Sequence, residues 1–419
     1  MTIVRLAARS LLNRWMTALL AVIAIAVSVL LLLGVEKIRN GARSSFANTI
    51  SGTDLVVGAR SGGIQLLLYS VFRIGNATNN LSWRSFQEIA ARPEVDWIVP
   101  LSLGDSHRGY RVLGTTRDYF THYRYRRTHH LSFQSGEAFA DLFDAVVGAD
   151  VARALDYRVG QSIVVAHGLG RLETQAHDDK PFRIVGILDK TGTPVDRTVH
   201  VSLEAIEAIH IDWQDGARAP ELAMTAEDVR QLTLTPKAVT AALVGLKSRL
   251  DVFPLQRFIN TYRAEPLTAI LPGVALHELW AIVGTAETAL IVVSAMVVVT
   301  AVLGMMTMIL ATLNERRREI AILRSVGAGP RTIIGLLVAE AGLLSVAGVI
   351  AGVAALYAAL VPLRPLIDSR YGIYLDIAWP SPWELAVLAG IVLAGCLAGL
   401  LPAARAYRLS LADGMLVKM

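Results

Sequence analysis

Four long stretches without a charged side chain constrain this chain more than any other feature. Residues 15–35 give 21 uncharged positions between Arg14 and Glu36, and residues 288–313 give 26 more. Residues 341–363 add 23, and residues 385–404 add 20 between Glu384 and Arg405. The third stretch extends back to Ile333 with Glu340 inside it. A helix of about 20 apolar residues crosses about 30 Å of hydrocarbon, and only closed hydrogen bonding of that kind is tolerated there. The 419 residues are 53% hydrophobic and 18% charged, too apolar for a soluble enzyme of this length. The first stretch exceeds the 7–15-residue core of a secretory signal, and Glu36-Lys37-Ile38-Arg39 follows it in place of a small-residue cleavage site. It is therefore expected to stay as a signal anchor.

Four crossings put both termini on one side, and basic residues in short segments stay cytoplasmic. The N-terminal segment carries Arg5, Arg9 and Arg14. The loop after the second stretch carries Arg316, Arg317, Arg318, Arg324 and Arg331, and the C-terminal segment carries Arg405, Arg408 and Lys418. Those segments hold 11 basic residues against three acidic ones, Glu315, Glu319 and Asp413, while residues 36–281 hold 27 of each. The net charge of +5 is thus a topology signal, and no nucleic-acid partner is expected. Trp15 at the inner end of the first helix, and Trp280, Trp379 and Trp383 at outer ends, fit interfacial anchors.

The fold expected is a membrane α-helical protein with four transmembrane helices, plus an α+β extracytoplasmic domain inserted between helices 1 and 2. Its parts are an amphipathic cytoplasmic helix (1–14), helix 1 (15–35), the outer domain (36–281) and helix 2 with an outer stalk (282–313). A cytoplasmic loop (314–332), helix 3 (333–363), an outer loop (364–382), helix 4 (383–404) and a cytoplasmic tail (405–419) complete it. Within the outer domain, strands are predicted near residues 55–57, 97–103, 182–188, 198–201 and 238–246, with residues 138–143 leading to 145–148 and a hairpin-like strand entry at 160–166. Helices are predicted at 83–91, after Ser82, and at 150–155 and 255–262. Two subdomains dividing near residues 104–136 are expected. The single cysteine, Cys396, has no intrachain partner, so this domain must fold on its apolar core alone.

Helical pattern around the second stretch runs from about residue 276 to 313, about 57 Å at about 1.5 Å per residue. That is well beyond the bilayer and reads as a stalk. Gly348-x-x-x-Gly352 and Gly395-x-x-x-Gly399 allow close helix approach, either within the chain or across a dimer face. Glu340, about two turns into helix 3, needs a partner or water, and an arginine near the headgroups is the reading preferred over a proton relay.

Several motifs are weaker than they look. Asp189-Lys-Thr-Gly-Thr193 matches the phosphorylated aspartate of P-type ATPases, but the residues after it are strong turn chemistry between two strands. Ser61-Gly-Gly-Ile-Gln reads as a loop, and no G-x-x-x-x-G-K-[ST] exists in the chain. His277-Glu278 lacks the second histidine of a zincin. All nine histidines lie in the outer domain, and His122, His129 and His130 sit closest together in sequence. They are the candidates for a metal site, although surrounding arginines and the lack of a carboxylate or thiol between them favour a solvated surface.

The loop Asn314-Glu-Arg-Arg-Arg-Glu-Ile-Ala-Ile-Leu-Arg-Ser-Val-Gly-Ala328 is the densest run of charge between apolar stretches. It reads as a helical hairpin that grips a cytoplasmic motor protein. Arg316, Arg317, Arg318 and Glu319 would pair with charges in the partner, and Ile320, Ile322 and Leu323 would supply an apolar face. Gly327 to Pro330 would break the helix before the return. Glu315 and Arg324 complete the candidate coupling set.

This loop, followed by Ala339-Glu-Ala-Gly-Leu-Leu-Ser-Val-Ala-Gly348, resembles the FtsX/MacB-type permease domain of ABC transporters. Leu401-Pro-Ala-Ala-Arg-Ala-Tyr-Arg408 with Ala412-Asp-Gly-Met415 is similar to the family's ending, although the family's usual proline is Leu411 or Ala412 here. Val146-Val-Gly-Ala-Asp-Val-Ala-Arg-Ala-Leu155, Val159-Gly-Gln-Ser162, Gly186-Ile-Leu188 and Thr193-Pro194 look like its extracytoplasmic core. The resemblance implies a multi-pass bacterial inner-membrane permease that is not itself an enzyme and binds no cofactor. ATP and Mg would sit on a separate cytoplasmic ABC ATPase subunit. It also implies pairing of two permeases as a homodimer, membrane lipids around them, and a periplasmic adaptor or substrate-binding protein. By mechanotransmission, ATP hydrolysis would reshape the outer domain to export or release a peptide, drug, lipid or lipoprotein. The alternatives are a signalling module that activates an extracytoplasmic partner such as a cell-wall hydrolase, and metal-linked transport.

Overall fold

The computed structural model describes residues 2–126, 128–168, 177–214, 217–218, 224–315, 317–371, 375 and 377–408. The chain divides into two compact units. One comprises Met1–Gly41, Gly284–Leu366 and Leu375–Met419; the other comprises Ala42–Val283 with Ile367–Tyr374.

The first unit is helical. Four helices are long and apolar enough to span a membrane, over Trp15–Ser44, Pro272–Leu313, Pro330–Ile367 and Pro382–Arg405. Between 22% and 44% of each apolar window is buried, so lipid or another apolar surface must cover the rest. The seam between the first and third spans is set by glycine. A methyl group at Gly348 would lie 2.6 Å from Ile25, and one at Gly352 would lie 2.6 Å from the Ala26 carbonyl and 2.8 Å from Val29. Gly399 likewise faces Ala341, and Gly395 faces Ser345, so the fourth span packs on the third. Both glycine motifs are thus occupied by packing within the chain. Glu340 is buried in this bundle.

The first and third spanning helices outrun their predicted outer ends. The first continues to Thr49, because Glu36 bonds Arg39 at 2.7 Å and Asn40 at 3.0 Å one turn on, replacing apolar contact with side-chain pairing. The third continues to Tyr371 with Pro362 and Pro365 inside it, so helix occupies the start of the expected outer loop. The fourth begins with a capping box, Ser381 accepting from the Glu384 backbone and Glu384 accepting from that of Ser381. Lys37 lies 3.4 Å from the same buried Glu384 carboxylate.

The second unit is a mixed α/β domain inserted between the first and second spans. An 11-stranded sheet is its backbone. Across it run Leu267–Ile270, Leu55–Ala59, Ala241–Leu246, Val95–His107, Tyr110–Thr115, Thr198–Ser202, Asp144–Val147, Phe182–Leu188 and Phe133–Gly136. Ala166–His167 pairs on Val95–His107, and Ser162–Ile163 on Phe182–Leu188. The period of two puts alternate side chains into separate cores. Leu55, Val57, Ala242 and Val244 pack with Phe86, Ile89 and Leu255, while Val56, Ala241 and Leu243 pack with Leu66, Tyr69 and Tyr119. A third core gathers Ala145, Val147, Val199 and Val201 with Ala205, Ala208 and Ile209, the buried face of helix Leu203–His210. Ser202 caps that helix by accepting from the Ala205 backbone.

Residues 104–136, where a division was expected, lie within this one unit. The long strand Val95–His107 runs into the start of the expected boundary, pairing first with Ala241–Leu246 and then with Tyr110–Thr115. Its register slips between Leu103 and Ser106, a bulge that breaks the alternation in mid-strand. The segment from Ser61 is a loop for only two residues, because helix Gly63–Ser70 follows and buries Leu66 and Leu67 against the sheet.

Candidate functional site

Two groups of side chains stand out, one in each unit. In the helical unit, the charged segment folds as helix Arg317–Ser325. Its end is a Schellman turn. The Gly327 backbone donates to Arg324 at 3.0 Å and that of Ala328 to Leu323 at 2.9 Å. Gly327 takes φ of 96°, which a side chain would oppose. Pro330 then opens the next helix, where its missing N–H costs nothing.

Ala321 is the buried face of this short helix. Ile322 and Val326, one turn apart, are 56% and 83% exposed. Arg14 reaches the Thr312 carbonyl at 3.3 Å and lies 3.9 Å from the Glu319 carboxylate. A cleft of about 330 Å³ runs between the N-terminal helix and the hairpin, lined by Leu6, Arg9, Asn13, Glu319, Ile322 and Leu323. Arg316 lies outside the described residues, as do the side chains of Glu315, Arg317, Arg318 and Ile320. Leu323 and Arg324 are half-buried. Leu6, Arg9, Asn13 and Val326 were not part of the expected set; the amphipathic pattern of residues 2–14 was the signal that could have placed the first three here.

In the outer unit, Asp105, His167, His177 and His210 converge, with one donor atom from each lying within 4.8 Å of the others. Three elements and one loop supply them. Asp105 sits in the bulge of Val95–His107, and His167 is its direct cross-strand partner. His210 ends the helix Leu203–His210. His177 is held by its backbone, which donates to the Val165 carbonyl at 2.9 Å. Asp105 Oδ1 lies 3.0 Å from His167 Nδ1 and 3.5 Å from His210 Nε2, and those two nitrogens are 3.2 Å apart.

The electrostatics follow from burial. Burial alone would raise the Asp105 carboxyl, but the imidazoles of His167 and His210 outweigh it and hold the group below the usual carboxylate range. Burial would lower His210, yet the Asp105 carboxylate and the Ile206 carbonyl raise it. His177 is pushed down to about 4 by burial, helped by the neighbouring His210 and His167, and is neutral at physiological pH. The Trp213 ring closes one side, its centroid 4.4 Å from that of His167 and 4.8 Å from that of His177. Beneath it, buried Lys180 bonds Asp212 at 3.0 Å and Asp179 at 2.8 Å, tying residues 177–180 to the Trp213 segment.

The three histidines singled out by sequence lie elsewhere. His129 and His130 are exposed on a two-stranded pair with Arg124–Tyr125, and His122 stacks on Trp97, whose ring covers Gly245 on the next strand. None of them belongs to the cluster, because neighbours in sequence were spread over a helix end and a hairpin while distant histidines were gathered by the sheet. Asp189 accepts from the Ser132 hydroxyl at 2.6 Å at the end of strand Phe182–Leu188. The residues after it fold onto Asp196, which accepts from the backbones of Thr191 and Gly192. The motif is a turn.

Comparison with known proteins bears on both units. Residues 18–242 match the model of the MacB-like periplasmic core domain, and residues 291–411 match that of the FtsX-like permease C-terminal domain. Pyoverdine export ATP-binding/permease protein PvdT of Pseudomonas fluorescens is 26% identical over 239 residues, covering 55% of this chain. Its counterpart from Pseudomonas syringae pv. tomato is 24% identical over the same length. The match spans 32% of each relative. Among solved structures, the periplasmic region of MacB from Actinobacillus actinomycetemcomitans is similar at a TM-score of 0.35 and 10% identity, covering 55% of this chain and 94% of that one. The extracellular domain of the ABC-type transporter YknZ from Gram-positive bacteria is similar at 0.31 and 12%, covering 52% and 99%. Scores that low add nothing to the family match.

Proposed function

Because the chain belongs to the family of FtsX-like permeases with a MacB-like periplasmic core domain, we propose that it is the force-transmitting membrane part of an ABC exporter. The observation that carries this reading is the helix Arg317–Ser325. It presents Ile322 and Val326 to solvent beside a cleft lined by Arg9 and Arg14, an exposed apolar step framed by charge. Such a surface suits a protein partner, since a helix exposing aliphatic side chains at i and i+4 gains by docking in a groove. The basic bias of residues 1–14 and 314–332 supports a cytoplasmic location for it. The partner is an ABC ATPase lying outside these 419 residues, and it is that partner which binds ATP and Mg.

Helix Pro272–Glu315 has 44 residues, about 66 Å at about 1.5 Å per residue, more than twice what the hydrocarbon requires. A continuous helix is stiff along its axis, so a push at the Glu315 end is passed toward Pro272. Two copies of the chain working with two ATPases would export or release cargo at the outer domain. The curated relatives are named for pyoverdine export, and export is the direction proposed.

Ile322→Asp with Val326→Asp tests the reading. Both positions are exposed, so insertion and folding should be unchanged. Co-purification with the ATPase, and the stimulation of its hydrolysis by the permease, should fall at least about tenfold, equivalent to about 1.4 kcal/mol of docking energy. Arg316, Arg317 and Arg318 changed together to Ala should act in the same direction. Full ATPase coupling in both variants would remove the hairpin from the mechanism.

A further inference from the structure

Asp105, His167, His177 and His210 have no part in the coupling reading, and the four side chains pose a chemical problem of their own. The His210 Nδ1–H donates to the Ile206 carbonyl at 2.6 Å, which leaves Nε2 as the lone-pair nitrogen of the neutral ring. That lone pair faces Asp105 Oδ1 at 3.5 Å and His167 Nδ1 at 3.2 Å. A proton on His167 Nδ1 can serve His210 Nε2 or Asp105 Oδ1 and leaves the other acceptor unanswered, whereas a cation between them answers both. A proton on His210 would relieve that pair. It would leave His177 as it stands, fully buried and with neither ring nitrogen bonded among the described residues. An unpaired buried imidazole carries an uncompensated desolvation penalty. One ion bonded to all four side chains would resolve both problems.

We propose that these four side chains form a site for a late first-row divalent transition-metal ion, with Zn(II) as the reference occupant. The spacing supports it. Bonds of about 2.0–2.1 Å in a tetrahedron hold ligand atoms about 3.3 Å apart. The three distances among Asp105, His167 and His210 are 3.0, 3.5 and 3.2 Å. The donor set is three imidazoles and one carboxylate, which suits borderline ions and disfavours Ca(II) and Mg(II), whose ligands are oxygens. The support of His210 by a backbone carbonyl is the arrangement that orients metal-bound histidines. Four protein ligands leave no open position, so the ion is resident and structural and performs no hydrolysis. It would staple the bulge of Val95–His107, the short strand Ala166–His167, the segment at His177 and the end of helix Leu203–His210.

The full chain in detergent, stripped with chelator and dialysed against Zn(II), is expected to retain about one ion per chain that excess Mg(II) or Ca(II) does not displace. Co(II) in its place should give the intense visible bands of a tetrahedral site, without the charge-transfer bands of thiolate. Asp105→Asn and His177→Ala should each weaken Zn(II) binding at least about 100-fold, the upper range for disturbing even a ligand's support. His122→Ala, His129→Ala and His130→Ala combined should bind as the unaltered chain does. Should the ligand variants not fold, acylation of histidines in the unaltered chain, mapped by mass spectrometry, decides the matter. Zn(II) should protect His167 and His210 and leave His129 and His130 reactive. No retained Zn(II), equal binding by the ligand variants, or protection confined to His129 and His130 would overturn the proposal.

Discussion

The ion pair of Arg14 with Glu319 and the contact of His167 with Asp105 are opposites in one chain. Glu319 is 59% exposed and its pair spans 3.9 Å, whereas Asp105 is 4% exposed and its pair spans 3.0 Å. Around the first, water screens the charges and partners can be exchanged at little cost. Around the second, the carboxylate is desolvated and its neighbours are fixed by strand pairing and a helix end. A surface of the first kind suits docking and release, and a site of the second kind suits a group that stays. The contrast separates a region fit to meet a partner from one that keeps its own structure.

The comparison breaks most visibly at Asp105. Asp105→Ala in metal-free protein should destabilise the outer domain by about 3 kcal/mol, the low end for removing one partner of a buried charged pair. Thermal unfolding of the full chain in detergent measures it, and a loss below about 1 kcal/mol would show that the buried pair behaves like a surface one.

A second, smaller effect comes from His200. It is fully buried, donates from Nδ1 to the Val146 carbonyl at 3.3 Å, and is pushed down to about 3 by burial, with Arg73 adding to the shift. A histidine held below its unfolded value of about 6.5 contributes stability above that pH, and the contribution is lost as pH falls toward the folded value. Acidification from pH 8 to pH 5 should therefore cost about 2 kcal/mol through this residue. His200→Gln, which does not titrate, should flatten that part of the pH profile; an unchanged profile would mean that His200 meets solvent in the folded state.

The smallest effect belongs to the exposed pair. Glu319→Gln should shift stability by less than about 0.5 kcal/mol. A larger shift in the unfolding midpoint would place that carboxylate in a structural network and weaken its assignment to a docking surface.

The elements legible in the sequence were those whose cause is local. Apolar runs longer than the bilayer reveal spans regardless of context, and Phe182–Leu188 is a short apolar, β-branched run between Pro181 and Asp189 that reads as a strand to the residue. Ser82 before Trp83 marks a helix start because a hydroxyl cap acts on the backbone beside it. Helix Gly63–Ser70 was hidden, since its leading glycines oppose helix and only packing of Leu66 and Leu67 on the sheet overrides them. The run at 238–246 looks like one strand but changes partner at Thr240, whose hydroxyl accepts from the Leu103 backbone at 3.0 Å. In the hairpin, Gly327 and Pro330 announce their turn in sequence. In the cluster, nothing local links Asp105 to His210, and only the bulge and the cross-strand pairing bring them together.

The glycine seams of the helical unit have a mechanical consequence. Where Gly348 and Gly352 meet Ile25, Ala26 and Val29, and Gly399 meets Ala341, backbones touch with no room for a methyl group. Contacts of that kind interlock like gear teeth and fix the register of the first, third and fourth spans against one another. The remaining span, over Pro272–Leu313, is the least enclosed, and inward it offers Met305, Ile309 and Leu313 where the other seams offer glycine. Under the proposed function it is this span that would shift, and one helical turn is about 5.4 Å.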